Sequence, residues 1–289
     1  MPKIGVVLAG GASKGTYEIG CLRAIEERFG IDSIKYVCSS SIGSVIGQTF
    51  GLGRSEDLLN EWKTVSTKEH GRFILAHSGN ETVLDGVKRL VSNGKRLPFE
   101  HYVSVWNYTK KKVEYIPFHE LSEESLVKYM RGAVAIPFFS KGEVVEGDLI
   151  LDGSFLDNIP AYPLLNKEVD YIFCIYFDNC KYVFENERFD SKIIKLFDFP
   201  NDKRLEILTF HPERFDDMVE YGYRYAVDTI SKIFDGKGSQ TEVYEAIAER
   251  EKSQSAVYKP RMTADVVLNN INVMTKRFSK RLTNRNKQK

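Results

Sequence analysis

The chain has 289 residues, of which 42% are hydrophobic and 28% charged, a balance that supports a packed globular core and excludes a disordered polymer. Its 41 basic and 40 acidic residues leave a net charge of +1, so the chain as a whole offers no electrostatic case for nucleic acid. The longest apolar runs, residues 133–139 and 171–177, fall well short of the roughly twenty residues a membrane-spanning helix needs.

The apolar run after Lys3 meets Gly10 and Gly11 too early for a secretory signal. Cys21, Cys38, Cys174 and Cys180 form no CxxC pair. They are expected as buried free thiols, not a disulfide frame or a zinc site, in a cytoplasmic chain with no metal and no cofactor. One asymmetry hides in the balanced charge. Lys276, Arg277, Lys280, Arg281, Arg285, Lys287 and Lys289 come without an acidic residue among them, and removing seven positive charges from +1 leaves −6 over residues 1–275. Such a tail is either a solvated terminus or an attractor for an anionic surface.

Along the chain, residues 4–9 (IGVVLA) read as a buried parallel strand ending at Gly-Gly. Residues 15–29 predict a helix with Cys21, Ile25 and Phe29 on the core face, with Glu18, Arg23, Glu26 and Glu27 mostly elsewhere and Gly30 as the stop. A second strand over 33–38 and a helix over 42–50 complete the opening of a parallel α/β sheet. Residues 55–67 predict a helix capped by Ser55. The polar segment 68–98, with a short helix near 82–91, is a lid or a surface excursion. Residues 102–108 and 112–117 predict a hairpin, and Ser122 caps a helix to about Arg131. Residues 143–151 and 170–177 predict strands, and from Asp202 the pattern turns helical to the end. The expectation is one domain: a core over 4–200, a helical region over 202–275 and the basic tail 276–289.

Three segments carry chemistry. Gly10-Gly11-Ala12-Ser13-Lys14-Gly15 sits where the first strand hands over to the first helix, and such a loop points backbone N–H groups at a phosphate or an oxyanion. It approaches the dinucleotide fingerprint GxGxxG with Ala12 in the second glycine's place, but the acidic residue that motif needs after the second strand is replaced by Cys38-Ser39-Ser40-Ser41. Ser39-Ser40-Ser41-Ile42-Gly43 follows that strand and reads either as a serine-rich helix cap or as a nucleophile elbow of the GxSxG kind. Ser39 stands where the first glycine belongs, which strains the elbow if its backbone needs φ > 0. Leu151-Asp152-Gly153-Ser154, trailed by Asn158-Ile159-Pro160, is either a plain turn or a strand-end carboxylate. His70, His77, His101, His119 and His211 are scattered and read as surface or satisfied residues, not as a triad base.

Together these segments resemble the patatin-like phospholipase family. Gly10–Gly15 is similar to its Gly-Gly-Gly-x-Lys/Arg-Gly loop except at Ala12. Ser39–Gly43 is similar to its elbow, and Asp152-Gly153-Ser154 with Asn158-Ile159-Pro160 to its aspartate element. Residues 132–139 (GAVAIPFF) match the small-residue stretch before that element. The resemblance covers roughly residues 4–178 and implies a three-layer α/β/α fold with a mainly parallel central sheet. It also implies a lipid acyl hydrolase acting on lipid or other carboxylic esters. Carried onto this sequence, Ser41 is the nucleophile and Asp152 its base. The N–H groups of Gly10, Gly11, Ala12 and Ile42 form the oxyanion hole, with Lys14, Gly15, Gly43 and Gly153 in support. Two other functions share these residues: an acyltransferase using the same dyad, and a lipid-binding pseudoenzyme if Ser39 spoils the elbow.

If the tail attracts lipid, the full chain binds anionic vesicles more tightly than neutral ones in a sedimentation assay, and removing residues 276–289 abolishes the difference. Equal discrimination by the shortened chain would reject a role for the tail.

Overall fold

The computed structural model describes residues 1–68, 88–89, 96–137, 140–184, 186–200 and 211–260. Nearly all of the 68–98 segment, including most of the helix expected near 82–91, and the basic tail lie outside the described residues. Strand β1 (Ile4–Leu8) is buried at every position, as a strand covered on both faces must be. Helix α1 (Gly15–Phe29) returns the chain to β2 (Ile34–Ser40), which lies parallel to β1. Helices α2 (Ile42–Gly51) and α3 (Ser55–Lys68) follow, then β3 (Glu100–Asn107), parallel to β2. The predicted hairpin forms between β3 and β4 (Lys112–Pro117). Helix α4 (Glu123–Ala133) begins as expected at Ser122, whose side chain accepts a hydrogen bond from the Ser125 N–H.

Beyond it lie β5 (Glu143–Val145) and β6 (Asp148–Asp152), then β7 (Tyr171–Ile175) on the free side of β1. Strand β8 (Lys181–Val183), the single turn α5 (Glu187–Asp190) and β9 (Ile193–Leu196) precede the long helices α6 (Phe215–Phe234) and α7 (Gln240–Ser253). The main sheet runs β5-β6-β3-β2-β1-β7-β9, with β4 added on β3. It is a mixed α/β architecture on a mainly parallel sheet.

Three sequence expectations change. The single strand expected over 143–151 is a hairpin, because Glu146 (φ 52°) and Gly147 (φ 86°) make a left-handed two-residue turn. Ser55 lies within the first turn of α3 and does not cap it; the carbonyl of Arg54 accepts the Leu58 N–H at 3.1 Å. The helical pattern does not run to the end either. After α7, residues Tyr258–Pro260 form β10, paired in parallel with β8.

On one face of the sheet, α1, α2, α3, α4 and α6 share one hydrophobic core with Ile4, Val6 and Leu8 of β1. The other face, with Val7, Cys38, Ile172 and Cys174, is closed by a thinner layer of loop, 3₁₀ turn and α5 that includes Ile159, Leu164, Val169 and Phe189. All four cysteines are buried, and none forms a disulfide. Among the described residues, no helix is long and apolar enough to cross a membrane.

Helix α1 is covered on both sides. A Cβ on Gly20 would lie 1.9 Å from the Val219 carbonyl oxygen, and one on Gly222 would lie 2.1 Å from that of Tyr17. Backbones of α1 and α6 therefore touch where two glycines face across the crossing. Glu18 also differs from the expectation: it is fully buried instead of lying off the core face, close to the Ala9 backbone. Burial raises its pKa well above the ordinary carboxylate value.

Gly20→Ala forces these backbones apart and is expected to cost about 2–3 kcal/mol of stability, the upper part of the usual overpacking range. A urea titration reads this as a lower midpoint at unchanged slope; an unmoved midpoint would mean the helices do not meet at Gly20.

Candidate active site

Strand β3 has two edges, and its pairing brings the site together. From Tyr102 to Asn107 one edge is held by β4. The other edge is shared end to end, with β2 pairing as far as Ser40↔Ser104 and β6 taking over at Asp152↔Val105. Because β6 runs antiparallel to β3, its last residue arrives opposite the end of β2. Ser41 and Asp152 therefore meet head-on although 111 positions separate them in the sequence. Gly153 then crosses directly over β3, where a Cβ would lie 2.4 Å from the carbonyl carbon and oxygen of Ser104.

Ser41 sits at the turn from β2 into α2 with φ 50° and ψ −128°, a backbone conformation that costs an ordinary residue about 1–3 kcal/mol. Its surroundings impose that turn. A Cβ on Gly43 would lie 2.8 Å from the Leu8 carbonyl oxygen, and one on Gly10 would lie 2.8 Å from the Ser41 Cβ. The Ser44 hydroxyl donates to the Ser41 carbonyl at 2.5 Å. Ser39 lies in regular strand pairing and is not among the positive-φ residues, so the strain anticipated from the missing glycine does not arise there.

Asp152 Oδ1 accepts the Ser154 N–H at 2.8 Å, and the Ser41 hydroxyl lies close enough to the carboxylate to favour its ionised form. The Asp152 backbone N–H donates to the Ala135 carbonyl at 2.9 Å, which ties the small-residue stretch before it to the site. Asp152 is 1% exposed and Ser41 5%. Burial outweighs the hydrogen bonds and raises the Asp152 pKa to about 6.

The glycine loop lies against this pair. Ala12 takes φ 50°, and Gly11 is pressed so close to the Phe177 ring that a Cβ would fall 2.3 Å from it. No hydrogen bond among the described residues engages the N–H groups of Gly11, Ala12 or Ile42. Gly10 differs from the expectation. Its N–H donates to Ser40 Oγ at 2.7 Å and to Asn158 Oδ1 at 2.8 Å, so it ties the loop down and has no donor left for an oxyanion. Asn158 completes the clamp by donating to the Gly10 carbonyl at 3.1 Å. Sequence reasoning placed Asn158 only in a motif; its spacing after Asp-Gly was the available signal. Lys14 is buried, 4% exposed, and is not a solvated helix-start lysine. Gly15 lets α1 start against α2, since a Cβ there would lie 2.9 Å from Ile42 Cγ2. The N-termini of both helices, with their positive dipole ends, thus converge beside Ser41. Among the described residues no three His, Cys, Asp or Glu side chains are grouped to hold a metal ion.

This geometry agrees with comparison to known sequences. The family model described as patatin-like phospholipase matches residues 6–165, more than half of the chain. The chain belongs to the patatin-like phospholipase family. Among curated relatives, a lysophospholipase (NTE1) of Mycosarcoma maydis is 26% identical over 186 residues, covering 60% of this chain and 9% of that protein. An uncharacterised NTE family protein of Mycobacterium tuberculosis is 25% identical over 177 residues, covering 58% of this chain and 47% of that one. The chain thus matches less than half the length of either relative. Among solved structures, VipD from Legionella pneumophila superposes with a TM-score of 0.45 at 14% identity, over 87% of this chain and 74% of that one.

The Asp152 environment has a thermodynamic signature. Below about pH 3 the folded and unfolded states both hold the proton. As pH rises from the ordinary 3.8 to about 6, only the unfolded chain ionises readily. Stability is therefore lost across that window, by about 3 kcal/mol from a two-unit shift. Asp152→Asn, which removes the buried charge, is expected to be more stable than the parent at pH 8 and to lose that advantage by about pH 3. Urea titrations at the two pH values check this; equal stability at pH 8 would contradict the buried ionised carboxylate.

Proposed function

We propose that this protein is a lipid acyl hydrolase that cleaves carboxylic esters through an acyl-Ser41 intermediate with Asp152 as general base. The observation that carries this reading is the buried Asp152 carboxylate beside the hydroxyl of Ser41 on a strained strand-to-helix turn. An aspartate at its ordinary pKa is a feeble base; raised to about 6, it is still mostly ionised at neutral pH and far readier to take a proton.

In this reading Asp152 accepts the hydroxyl proton as Ser41 Oγ attacks the ester carbonyl carbon. The resulting oxyanion is held by the free N–H groups of Gly11 and Ala12 and by that of Ile42 at the start of α2, helped by the two helix N-termini. Collapse expels the alcohol, which leaves with the proton from Asp152, and Ser41 retains the acyl group. Water then attacks the acyl carbonyl while Asp152 takes its proton. The second tetrahedral species breaks the Ser41 ester, the proton returns to Oγ and the free acid departs. Gly10, Gly15, Gly43 and Gly153 serve by close backbone approach, and the clamp from Asn158 keeps the loop in register with the elbow. The fungal relative is described as a lysophospholipase, which makes a single-chain phospholipid ester the first substrate to try. Peripheral contact with an anionic membrane through residues 276–289 belongs to the same proposal.

An alkyl fluorophosphonate is expected to form one adduct on Ser41, found by intact mass and peptide mapping, that is absent in Ser41→Ala and strongly slowed in Asp152→Ala. kcat/KM should rise about tenfold between pH 5 and pH 7 as Asp152 ionises. A folded parent protein that takes no label, or a rate flat across that range, would reject the dyad.

A further inference from the structure

Ser39 departs from the glycine of the elbow motif, and its side chain is fully buried. The hydroxyl has a definite partner. Ser39 Oγ and His101 Nε2 are 2.7 Å apart, and His101 Nδ1 is 3.3 Å from Gln48 Oε1. His101 on β3 is also fully buried and Gln48 on α2 is 4% exposed. The imidazole lies edge-on to Phe99 and Phe118, and Gly47 leaves room for it, since a Cβ there would lie 3.0 Å from Nε2.

Burial, with His119 as the second cause, lowers the His101 pKa to about 3, so the ring is neutral near pH 7. A neutral imidazole has one donor and one acceptor. With the Gln48 carbonyl oxygen facing Nδ1, that nitrogen donates and Nε2 accepts the Ser39 hydroxyl. Every polar atom of the ring is then satisfied in a dry site. A glycine at 39 would leave Nε2 orphaned, and an orphaned buried polar group is costly.

The network has a position as well as a chemistry. Ser39 is two residues before Ser41, on the strand that enters the elbow, and Gln48 is seven residues after it, on the helix that leaves. His101 joins the two from the neighbouring strand. The strained backbone of Ser41 persists only where its surroundings over-determine it, and the brace holds both arms of the turn.

We propose that Ser39, His101 and Gln48 form a buried brace that positions the Ser41 turn. Ser39 is thus half of a matched pair with His101, and a glycine at position 39 weakens this protein. All three are positioning residues. As read at Ser41 the inference rests on the dyad assignment, so the test carries a second readout independent of activity.

Ser39→Gly, His101→Phe and the double variant are compared with the parent, well below their melting midpoints. Fluorophosphonate labelling of Ser41 is expected to slow by on the order of 10- to 100-fold in Ser39→Gly, with KM for an ester substrate unchanged. His101→Phe should slow it comparably, and the double variant should lose no more than the worse single one. Amide exchange over residues 42–46, read by mass spectrometry, should accelerate in both single variants. Adding Gln48→Met to the double variant makes the site wholly apolar. Melting temperature should then recover while labelling stays slow, which separates positioning from plain stability. Labelling in Ser39→Gly at or above the parent rate, losses that multiply, or full recovery of labelling in the apolar triple variant would overturn the brace. If the parent takes no label, the dyad reading fails, and amide exchange alone decides the brace: unchanged exchange in both single variants rejects it.

Discussion

One edge of strand β3 organises the centre of this molecule. Because β4 holds the opposite edge from Tyr102 onward, β2 and β6 must share what remains. They do so from opposite directions, with their last pairs falling on the consecutive residues Ser104 and Val105. A parallel strand leading into Ser41 and an antiparallel strand ending in the Asp152 carboxylate are thereby aimed at each other by backbone pairing. Rigid elements hold reacting groups more tightly than loops do, and neither Ser41 nor Asp152 depends on a long loop for its place. Gly153 is the small residue this convergence demands, because the chain leaving β6 must cross in contact with the Ser104 backbone.

The site holds two states that are unfavourable in isolation. Ser41 carries a strained backbone, and Asp152 is desolvated enough to shift its pKa by about two units. Both are held by the same shell. Gly10, pinned by Ser40 and Asn158, leaves no room for Ser41 to relax. Gly43 seats α2 on the Leu8 carbonyl, and the Ser154 N–H hydrogen-bonds the carboxylate. Strain and desolvation are common where chemistry needs a poised group, and the surrounding fold carries their cost. The buried pair of Ser39 and His101 extends the same logic one layer outward.

Helix packing explains a second group of features. Backbone contact between α1 and α6 at Gly20 and Gly222 draws α1 into the interior. Glu18, near the start of α1, is fully buried close to the Ala9 backbone. Its buried carboxyl is an odd group to find behind a glycine loop.

Much of this was legible in the residues themselves. Local signals are strong where one short segment contains its own cause: the apolar run of β1, the Ser122 cap, the β3–β4 hairpin, and the small residues around Ser41 and after Asp152. Those segments, in that order, also carried the family resemblance. Other features were settled by residues far away in the chain. Nothing in 143–151 shows that Asp152 ends an antiparallel strand facing β2, since strand direction is a property of partners. Charge pattern put Glu18 off the core face because it does not show what packs on that side of the helix. Gly10 passed for an oxyanion donor until its N–H was found engaged by Ser40 and Asn158. Ser39 resembled a defect until His101, 62 positions on, supplied the partner for its hydroxyl. Composition and local pattern determined which elements form and which groups are able to react. Which side chains meet, and how dry and strained the meeting place is, only the tertiary structure decided, because burial and hydrogen-bond partners are set by packing between distant segments.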